Sequence, residues 1–265
     1  MNRQVVFISH GGGPLPVLGD PQHVELVEAL NALRARLNKP KQIVVISAHW
    51  ETQHVSITSS ANPALLYDYY GFPQESYELS YPCPGDPELA QTIAKLFSHN
   101  GHTPQLDGER GLDHGVFIPL MLLYPEADIP VIQVSLSERL DPSVHIEMGK
   151  ILSGLGTDDT LFIGSGFSFH NMKGFFEKTD EIHSANENFE NWLKNTLLSE
   201  KADYDSIEQK LINWRLAPGA EVCHPREEHL MPLHVCFGIT QKQATDHTQM
   251  RVLSTKASNF VWSEC

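Results

Sequence analysis

Short runs of mostly apolar residues alternate along this chain with segments in which apolar residues recur every three or four positions. A short apolar run is typical of a parallel strand that is covered on both faces, whereas the longer spacing is typical of an amphipathic helix. Strands are therefore predicted at residues 5–8, 43–46, 131–136, 161–165, 251–254 and 259–262. The alternation of strands with helices indicates an α/β fold.

Three of the predicted helices begin with an aspartate followed by a proline, at positions 20, 86 and 141. The aspartate suits the N-cap and the proline suits the first helical position. Helices are also expected at residues 116–124 and 180–214, and a last one is expected to begin near Arg226. Because 265 residues can bury one sizeable core, we expect one layered domain, residues 1–265, with a central mixed, largely parallel sheet flanked by helices.

Histidines follow three of the predicted strands. Residues 5–8 lead through Ser9 to His10, residues 43–46 lead to His49, and residues 161–165 lead through a glycine turn to His170. For one such histidine, a structural hydrogen bond to a loop carbonyl is the simpler interpretation. In open α/β sheets, however, ligands bind beyond the carboxyl ends of the strands, so the matched strand ends favour a functional site.

Residues 59–85 interrupt the alternation with a long loop that is rich in prolines and aromatic residues. Loops of this length are usually functional or disordered, and the aromatic content argues against disorder. The loop is interpreted as one wall of a pocket for a flat ligand, or alternatively as a surface loop that packs on its own tyrosines. Candidate substrate-binding residues are Tyr69 and Phe72 in the loop, and Trp50 beside His49.

His114 precedes the apolar helix predicted at residues 116–124. The positive end of the helix dipole disfavours an imidazolium there, so the ring is expected to be neutral and able to act as a base. A structural role for His114 is equally consistent with the sequence.

Charge and cysteine content limit the partners and the compartment. The formal net charge of −14 argues against nucleic acid and anionic membranes, whose phosphates would repel the protein. The four cysteines, at positions 83, 223, 236 and 265, lack the close spacing of a zinc site or a disulfide framework and are expected to be reduced thiols. Because neither a signal-peptide pattern nor a membrane-length apolar segment is found, a cytoplasmic protein is expected.

The distribution of histidines favours metal chemistry over nucleophilic catalysis. The chain has no Gly-x-Ser-x-Gly elbow, phosphate loop, dinucleotide-binding glycine pattern or His-Glu-x-x-His helix, which are the signatures of common alternatives. Borderline divalent metals bind neutral imidazole, and catalytic sites leave coordination positions open for the substrate.

Six short motifs together resemble the class III extradiol ring-cleavage dioxygenases (the LigB-like family), and more narrowly their DOPA 4,5-dioxygenase-type branch. Each motif alone is weak, but they occur in the family's order over nearly the whole chain. They are Ser9-His10-Gly11, Ser47-Ala48-His49-Trp50, Tyr70-Gly71-Phe72-Pro73, Leu112-Asp113-His114-Gly115, His170-Asn171 and Glu228-His229-Leu230-Met231-Pro232-Leu233.

The resemblance implies a metal held by His10, His49 and His229. Some relatives use a glutamate where this chain has His229, so Glu228 and His224 are alternatives for the third ligand. Fe(II) is the metal that the ring-opening activity requires, and an all-histidine site also suits Zn(II).

The resemblance further implies that His114 and His170 are acid/base groups beside a catechol-type substrate and dioxygen. One of them would take a proton from the substrate, whose aromatic ring would then be opened to a semialdehyde. A zinc hydrolase with a metal-bound hydroxide is the alternative function, and a metal-binding protein without turnover is a third. The expected partners are a small aromatic substrate and dioxygen, in a monomer or a homodimer.

Overall fold

The predicted strands lie in one eight-stranded sheet in the computed structural model, which describes residues 4–156, 159–177, 179–199 and 203–263. The strands are β1 (Gln4–Ser9), β2 (Gln42–Thr52), β3 (Ser56–Thr58), β4 (Gln105–Asp107), β5 (Val131–Ser137), β6 (Thr160–Gly166), β7 (Asp246–Val252) and β8 (Thr255–Ser263). Their order across the sheet is β4-β3-β5-β2-β6-β1-β8-β7.

The four central strands are parallel to one another. β6 lies between β1 and β2, and β2 also pairs with β5. The outer strands add antiparallel pairs, of β3 with β5, β8 with β1, and β7 with β8. All residues of β1 and β6 are buried, as expected for strands that are covered on both faces. The predicted layered α/β fold with a mixed, largely parallel sheet is confirmed.

Helices cover both faces of this sheet. They are α1 (Val24–Arg34), α2 (Pro87–His99), α3 (His114–Leu123), α4 (Pro142–Ser153), α5 (Asp180–Leu197), α6 (Tyr204–Ile212), α7 (Ala220–Cys223) and α8 (Met231–Thr240). Asp86 and Asp141 cap α2 and α4 as predicted, because each carboxylate accepts hydrogen bonds from backbone N–H groups of the first turn. Asp20 caps a 3-10 turn, Pro21–His23, which leads into α1.

Two neighbouring residues of β6 show that α3 and α8 cover opposite faces of the sheet. Ser165 donates its hydroxyl hydrogen to the carbonyl of Gly115 in α3. A Cβ atom on Gly164 would lie 2.6 Å from the carbonyl oxygen of Pro232 in α8. Because successive residues of a strand point to opposite faces, α3 and α8 lie on opposite sides of the sheet, and the missing side chain at Gly164 lets α8 approach closely.

The bounds of three predicted elements are wrong. The residues expected to be helical at 180–214 contain two helices, α5 and α6. The predicted strand at residues 251–254 includes the turn between β7 and β8. The earlier, mostly polar residues of β7 contain no apolar run, so the sequence gives little signal for them. The helix expected near Arg226 begins instead at Met231. A start at Arg226 would place Pro232 in the helix interior, where its ring would clash with the carbonyl four residues earlier.

The described cysteines form no disulfide, and the described helices do not have the properties of membrane spans. Cys83, Cys223 and Cys236 are buried and unpaired, and Cys265 lies outside the described residues. None of the helices in the described ranges combines the length and the apolar composition that a membrane span needs.

Candidate metal centre

Histidines from five parts of the chain converge at the carboxyl ends of the central strands. His10 directly follows β1, and its backbone N–H donates to the carbonyl of Gly166 at the end of β6, at 3.0 Å. His229 lies in the turn before α8, and its carbonyl accepts a hydrogen bond from the N–H of Phe167, also at 3.0 Å. These backbone bonds hold both histidines against the end of β6.

His49 lies inside β2 and not after it, because the strand continues to Thr52. Its pairing with β5 is interrupted between Ile46, which lies opposite Val134, and Glu51, which lies opposite Leu136. Four residues of β2 therefore face a single residue of β5. Bulges of this kind bend a strand and redirect its side chains, and this one carries His49.

The rings of His10, His49 and His229 form a nearly equilateral triangle. The distances between ring centroids are 4.9 Å from His10 to His49, 5.3 Å from His10 to His229, and 4.9 Å from His49 to His229. His114 and His170 lie beside the triangle, because the ring of His114 is 4.0 Å from that of His49 and the ring of His170 stacks on that of His229 at 3.4 Å. The structure thus brings all five predicted site histidines together.

Hydrogen bonds determine which nitrogens of His10 and His229 carry hydrogen. The hydroxyl of Ser165 gives its hydrogen to Gly115, so it must accept one from His10 Nδ1, 3.1 Å away. His229 Nδ1 lies 2.9 Å from Glu228 Oε1, and a carboxylate only accepts. Both rings therefore have an unprotonated Nε2.

These unprotonated nitrogens fit a bound cation. His10 Nε2 lies 3.0 Å from His49 Nε2, and two nitrogen lone pairs at this distance repel each other unless a proton or a cation lies between them. Burial lowers the pKa of His10 and His229 well below the ordinary value, and burial together with the charge of His114 lowers the pKa of His49 to about 3. Neutral imidazoles are the form that binds borderline divalent metals.

Carboxylates hold the two outer histidines. His114 Nδ1 donates to Asp68 Oδ1 at 2.8 Å, and His170 Nδ1 lies 3.1 Å from Glu228 Oε1. Burial would raise the pKa of Asp68, but hydrogen bonds from the side chain and backbone of His114 outweigh it and leave the pKa below the ordinary value. Asp68 was not predicted as a site residue, because its only notable feature in the sequence is its position among the loop tyrosines.

The aromatic loop packs on itself and also reaches the histidines. The Tyr67 and Tyr69 hydroxyls donate to the carbonyls of Leu79 and Ser76, at 2.6 and 2.5 Å. The Tyr69 ring lies 5.4 Å from Phe72 and 5.8 Å from His114 between centroids. Its own tyrosines therefore stabilise the loop, and the loop brings Asp68 and Tyr69 next to the site histidines.

Trp50, His224 and Glu228, which the sequence also suggested as site residues, lie near the five histidines. The guanidinium of Arg110 covers the ring of Trp50, with its carbon 4.6 Å from the ring centroid. His224 is buried between Phe189 and Trp214 and donates from Nε2 to the carbonyl of Ser168 at 2.8 Å. Glu228 faces His229 and His170 through Oε1.

Comparison with known proteins identifies the family. A family model described as the catalytic LigB subunit of aromatic ring-opening dioxygenase matches residues 5–261. The chain belongs to this family. It is similar to a protein named dioxygenase tasH from Hapsidospora irregularis, with 40% identity covering 90% of this chain and 78% of the relative. It is also similar to a 4,5-DOPA dioxygenase extradiol from Beta vulgaris, with 38% identity covering 89% of this chain and 86% of the relative.

A solved structure has a similar fold over nearly the whole chain. The crystal structure of an uncharacterized protein from Escherichia coli K12 matches with a TM-score of 0.76 and 28% identity, covering 97% of this chain and 98% of that one. The protein is thus a metal-dependent extradiol dioxygenase, which opens the ring of a small aromatic substrate with dioxygen. The family and enzyme class inferred from the motifs are confirmed, and nothing in these comparisons favours the zinc hydrolase.

Proposed function

We propose that this enzyme opens the ring of a catechol with an Fe(II) ion held by His10, His49 and His229. The observation that carries the proposal is the pair of Nε2 atoms, of His10 and His49, that face each other at 3.0 Å. We further propose that residues 1–265 act as one catalytic domain in the cytoplasm, as a monomer or a homodimer, without nucleic acid or membrane partners.

Ring positions favour His229 as the third ligand. Among the residues that the structure describes, two sets of three donor residues have ligand atoms within 4.8 Å of one another: His10, His49 and His114, and His170, Glu228 and His229. The ring of His229 is nearly equidistant from those of His10 and His49, at 5.3 and 4.9 Å, whereas the ring of His114 lies at 5.3 and 4.0 Å. The side chain of His229 is 5% exposed and that of His170 is 22% exposed. His10 and His229 are buried, whereas the side chains of His49 and His170 are 21% and 22% exposed, so the metal would be open to the substrate on the side of His49 and His170.

The reaction decides between the two candidate metals. Neutral imidazoles bind Fe(II) and Zn(II) alike. Ring opening transfers electrons to dioxygen, and Zn(II) has no redox chemistry. Fe(II) is therefore the proposed active metal, and a zinc-loaded protein is expected to bind substrate without turnover.

The outer histidines are proposed to move protons. When bound, the metal supplies Lewis acidity that makes the substrate hydroxyls more acidic and a route for electrons to dioxygen. With Nδ1 directed at Glu228, His170 has Nε2 free to take a proton from a substrate hydroxyl. His114, whose Nδ1 donates to Asp68, would take a proton at Nε2 from the other substrate hydroxyl and return it as the ring opens. Each carboxylate would stabilise the imidazolium form of its histidine.

A flat substrate is proposed to lie against the aromatic residues beside these histidines. Tyr69 and Phe72 are the nearest candidates on the loop, since the Tyr69 ring approaches that of His114. Trp50, packed under Arg110, is the third proposed contact. The relatives named 4,5-DOPA dioxygenases make DOPA the first catechol to test.

The test is anaerobic loading of the metal-free protein with Fe(II) or with Zn(II), followed by air and a panel of DOPA, caffeate, protocatechuate and catechol. Yellow product in the iron sample alone would support the proposal and rank the substrates. A fully iron-loaded protein that consumes none of these catechols would contradict it.

Metal content tests the ligand assignment separately. His49→Ala should lose the metal, because His49 supplies one corner of the triangle. His114→Ala, the matched control, should keep one metal per chain and lose turnover. Equal metal content in wild type and His49→Ala would show that His49 is not a ligand.

A further inference from the structure

A single carboxylate oxygen faces two of the site histidines. Glu228 Oε1 lies 2.9 Å from Nδ1 of His229 and 3.1 Å from Nδ1 of His170. The two rings are stacked, with centroids 3.4 Å apart and planes inclined by 17°. Glu228 is 8% exposed, so water does not compete strongly for this oxygen.

Glu228 Oε1 determines which nitrogen carries hydrogen in the rings of both His229 and His170. A carboxylate accepts hydrogen bonds only, so each Nδ1 that faces it must carry hydrogen, and each Nε2 is left with a free lone pair. For His229 that lone pair is the one proposed to bind the metal, and for His170 it is the one proposed to accept a substrate proton. Such partners of ligand histidines fix the tautomer and the ring orientation.

We propose that Glu228 is a positioning residue that joins a metal ligand to an acid/base histidine and does not bind the metal itself. The proposal rests on the assignment of His229 and His170 under the proposed function. It predicts that one side chain controls both metal affinity and turnover.

The remaining oxygen of Glu228 is held from the solvent side. Glu228 Oε2 has no hydrogen-bond partner among the described residues, but it lies 3.3 Å from Nη1 of Arg226, in an ion-pair contact. Arg226 also donates from both terminal nitrogens to the carboxylate of Glu51 in β2, at 2.7 and 2.5 Å. The carboxylate of Glu228 is thereby tied to the bulged strand that carries His49, so its orientation does not depend on the histidines alone.

Asp68 provides a contrast within the same site. It accepts hydrogen bonds from the Nδ1 and the backbone N–H of His114, at 2.8 and 3.0 Å. Its other oxygen lies 3.8 Å from Nδ1 of His49, which is too far for a hydrogen bond. Asp68 therefore holds an acid/base histidine and no proposed ligand, so its loss should lower turnover without changing metal affinity.

The experiment measures the zinc affinity of the metal-free protein by competition with a chromogenic chelator, without substrate. Glu228→Gln should still bind one zinc per chain, with affinity weakened about 10- to 100-fold, the range found when such partners of metal ligands are removed. Asp68→Asn should bind zinc as the wild type does. Glu227→Gln is the matched control, because the neighbouring Glu227 pairs with Arg215 at 2.6 Å and touches no site histidine.

Unchanged zinc affinity in Glu228→Gln would overturn the proposal. So would complete loss of zinc binding by a folded Glu228→Gln protein, because Glu228 would then be a ligand. If that variant does not fold, long-range ¹⁵N–¹H correlation spectra of the wild type decide. They should show His170 and His229 as Nδ1–H tautomers, and an Nε2–H tautomer of either ring would refute the proposal.

A failure of the proposal for Glu228 can be distinguished from a failure of the proposed function. Zinc affinity and tautomers are measured without catechol or dioxygen. A protein that showed this pattern but opened no catechol would keep Glu228 as a positioning residue and lose only the substrate assignment.

Discussion

Protonation of Glu190 should set much of the pH dependence of folding stability. This residue of α5 is fully buried, and it accepts a hydrogen bond from the hydroxyl of Ser258 in β8. Burial raises the pKa of Glu190 from 4.5 to about 7, and hydrogen bonds from Ser168 and Ser258 offset only part of this rise. In the unfolded chain the same carboxyl should titrate near its ordinary value.

The magnitude follows from the difference between the two pKa values. A change of one pKa unit corresponds to about 1.4 kcal/mol, so the rise in the pKa of Glu190 from 4.5 to about 7 changes the free energy of unfolding by about 3 kcal/mol. Between these two values the folded state binds more protons than the unfolded state, so the free energy of unfolding falls as pH rises. Below that window the contribution of Glu190 is constant, and above it the buried carboxylate leaves the protein about 3 kcal/mol less stable than the protonated form.

Urea denaturation of the metal-free protein, repeated from about pH 5 to about pH 8, checks this prediction in wild type and in Glu190→Gln. Other groups titrate in both proteins, so the difference between their unfolding free energies isolates Glu190. That difference should shift by about 2.5 kcal/mol against the wild type across the range, because part of the effect lies below pH 5. Glu181→Gln, an exposed site on the same helix, should show no such shift. A pH-independent difference for Glu190→Gln would refute the reasoning.

Two further predictions concern the support of the ligand histidines. Ser165→Ala removes the acceptor for His10 Nδ1 and should weaken zinc binding by roughly 10-fold or more in the chelator competition, so wild-type affinity would contradict the tautomer assigned to His10. Gly115→Ala would place a Cβ atom 2.6 Å from Ser47 Oγ and 3.0 Å from His49 Cδ2, and it should lower the free energy of unfolding by about 1–3 kcal/mol. An unchanged urea midpoint would show that the neighbours of Gly115 can move aside without cost.

The central strands could be predicted because they are buried on both faces. Such strands consist of apolar residues throughout, and residues 5–8 and 43–46 show this directly. β7 lies at one edge of the sheet and pairs with β8, so most of its residues can be polar. The position of β7 depends on its pairing with β8, and a local sequence pattern does not show that pairing.

The histidines of the site could be predicted, but the groups that orient them could not. His10 and His170 follow buried strands, and that position alone indicates the crevice at the sheet edge. The bulge at His49 depends on how β2 pairs with β5. Asp68 and Ser165 reach their histidines across 46 and 155 positions of the chain, and no spacing in the sequence encodes contacts over such separations.

Oxygen consumption by the iron-loaded enzyme is the most direct measure of iron-dependent ring opening. An oxygen electrode and absorbance would follow dioxygen and catechol together, in protein loaded with Fe(II) and in the same protein loaded with Zn(II). The account predicts one dioxygen consumed for each catechol lost with Fe(II), and none with Zn(II). Catechol loss without oxygen uptake, or equal activity with zinc, would contradict an iron-dependent ring opening at the three histidines.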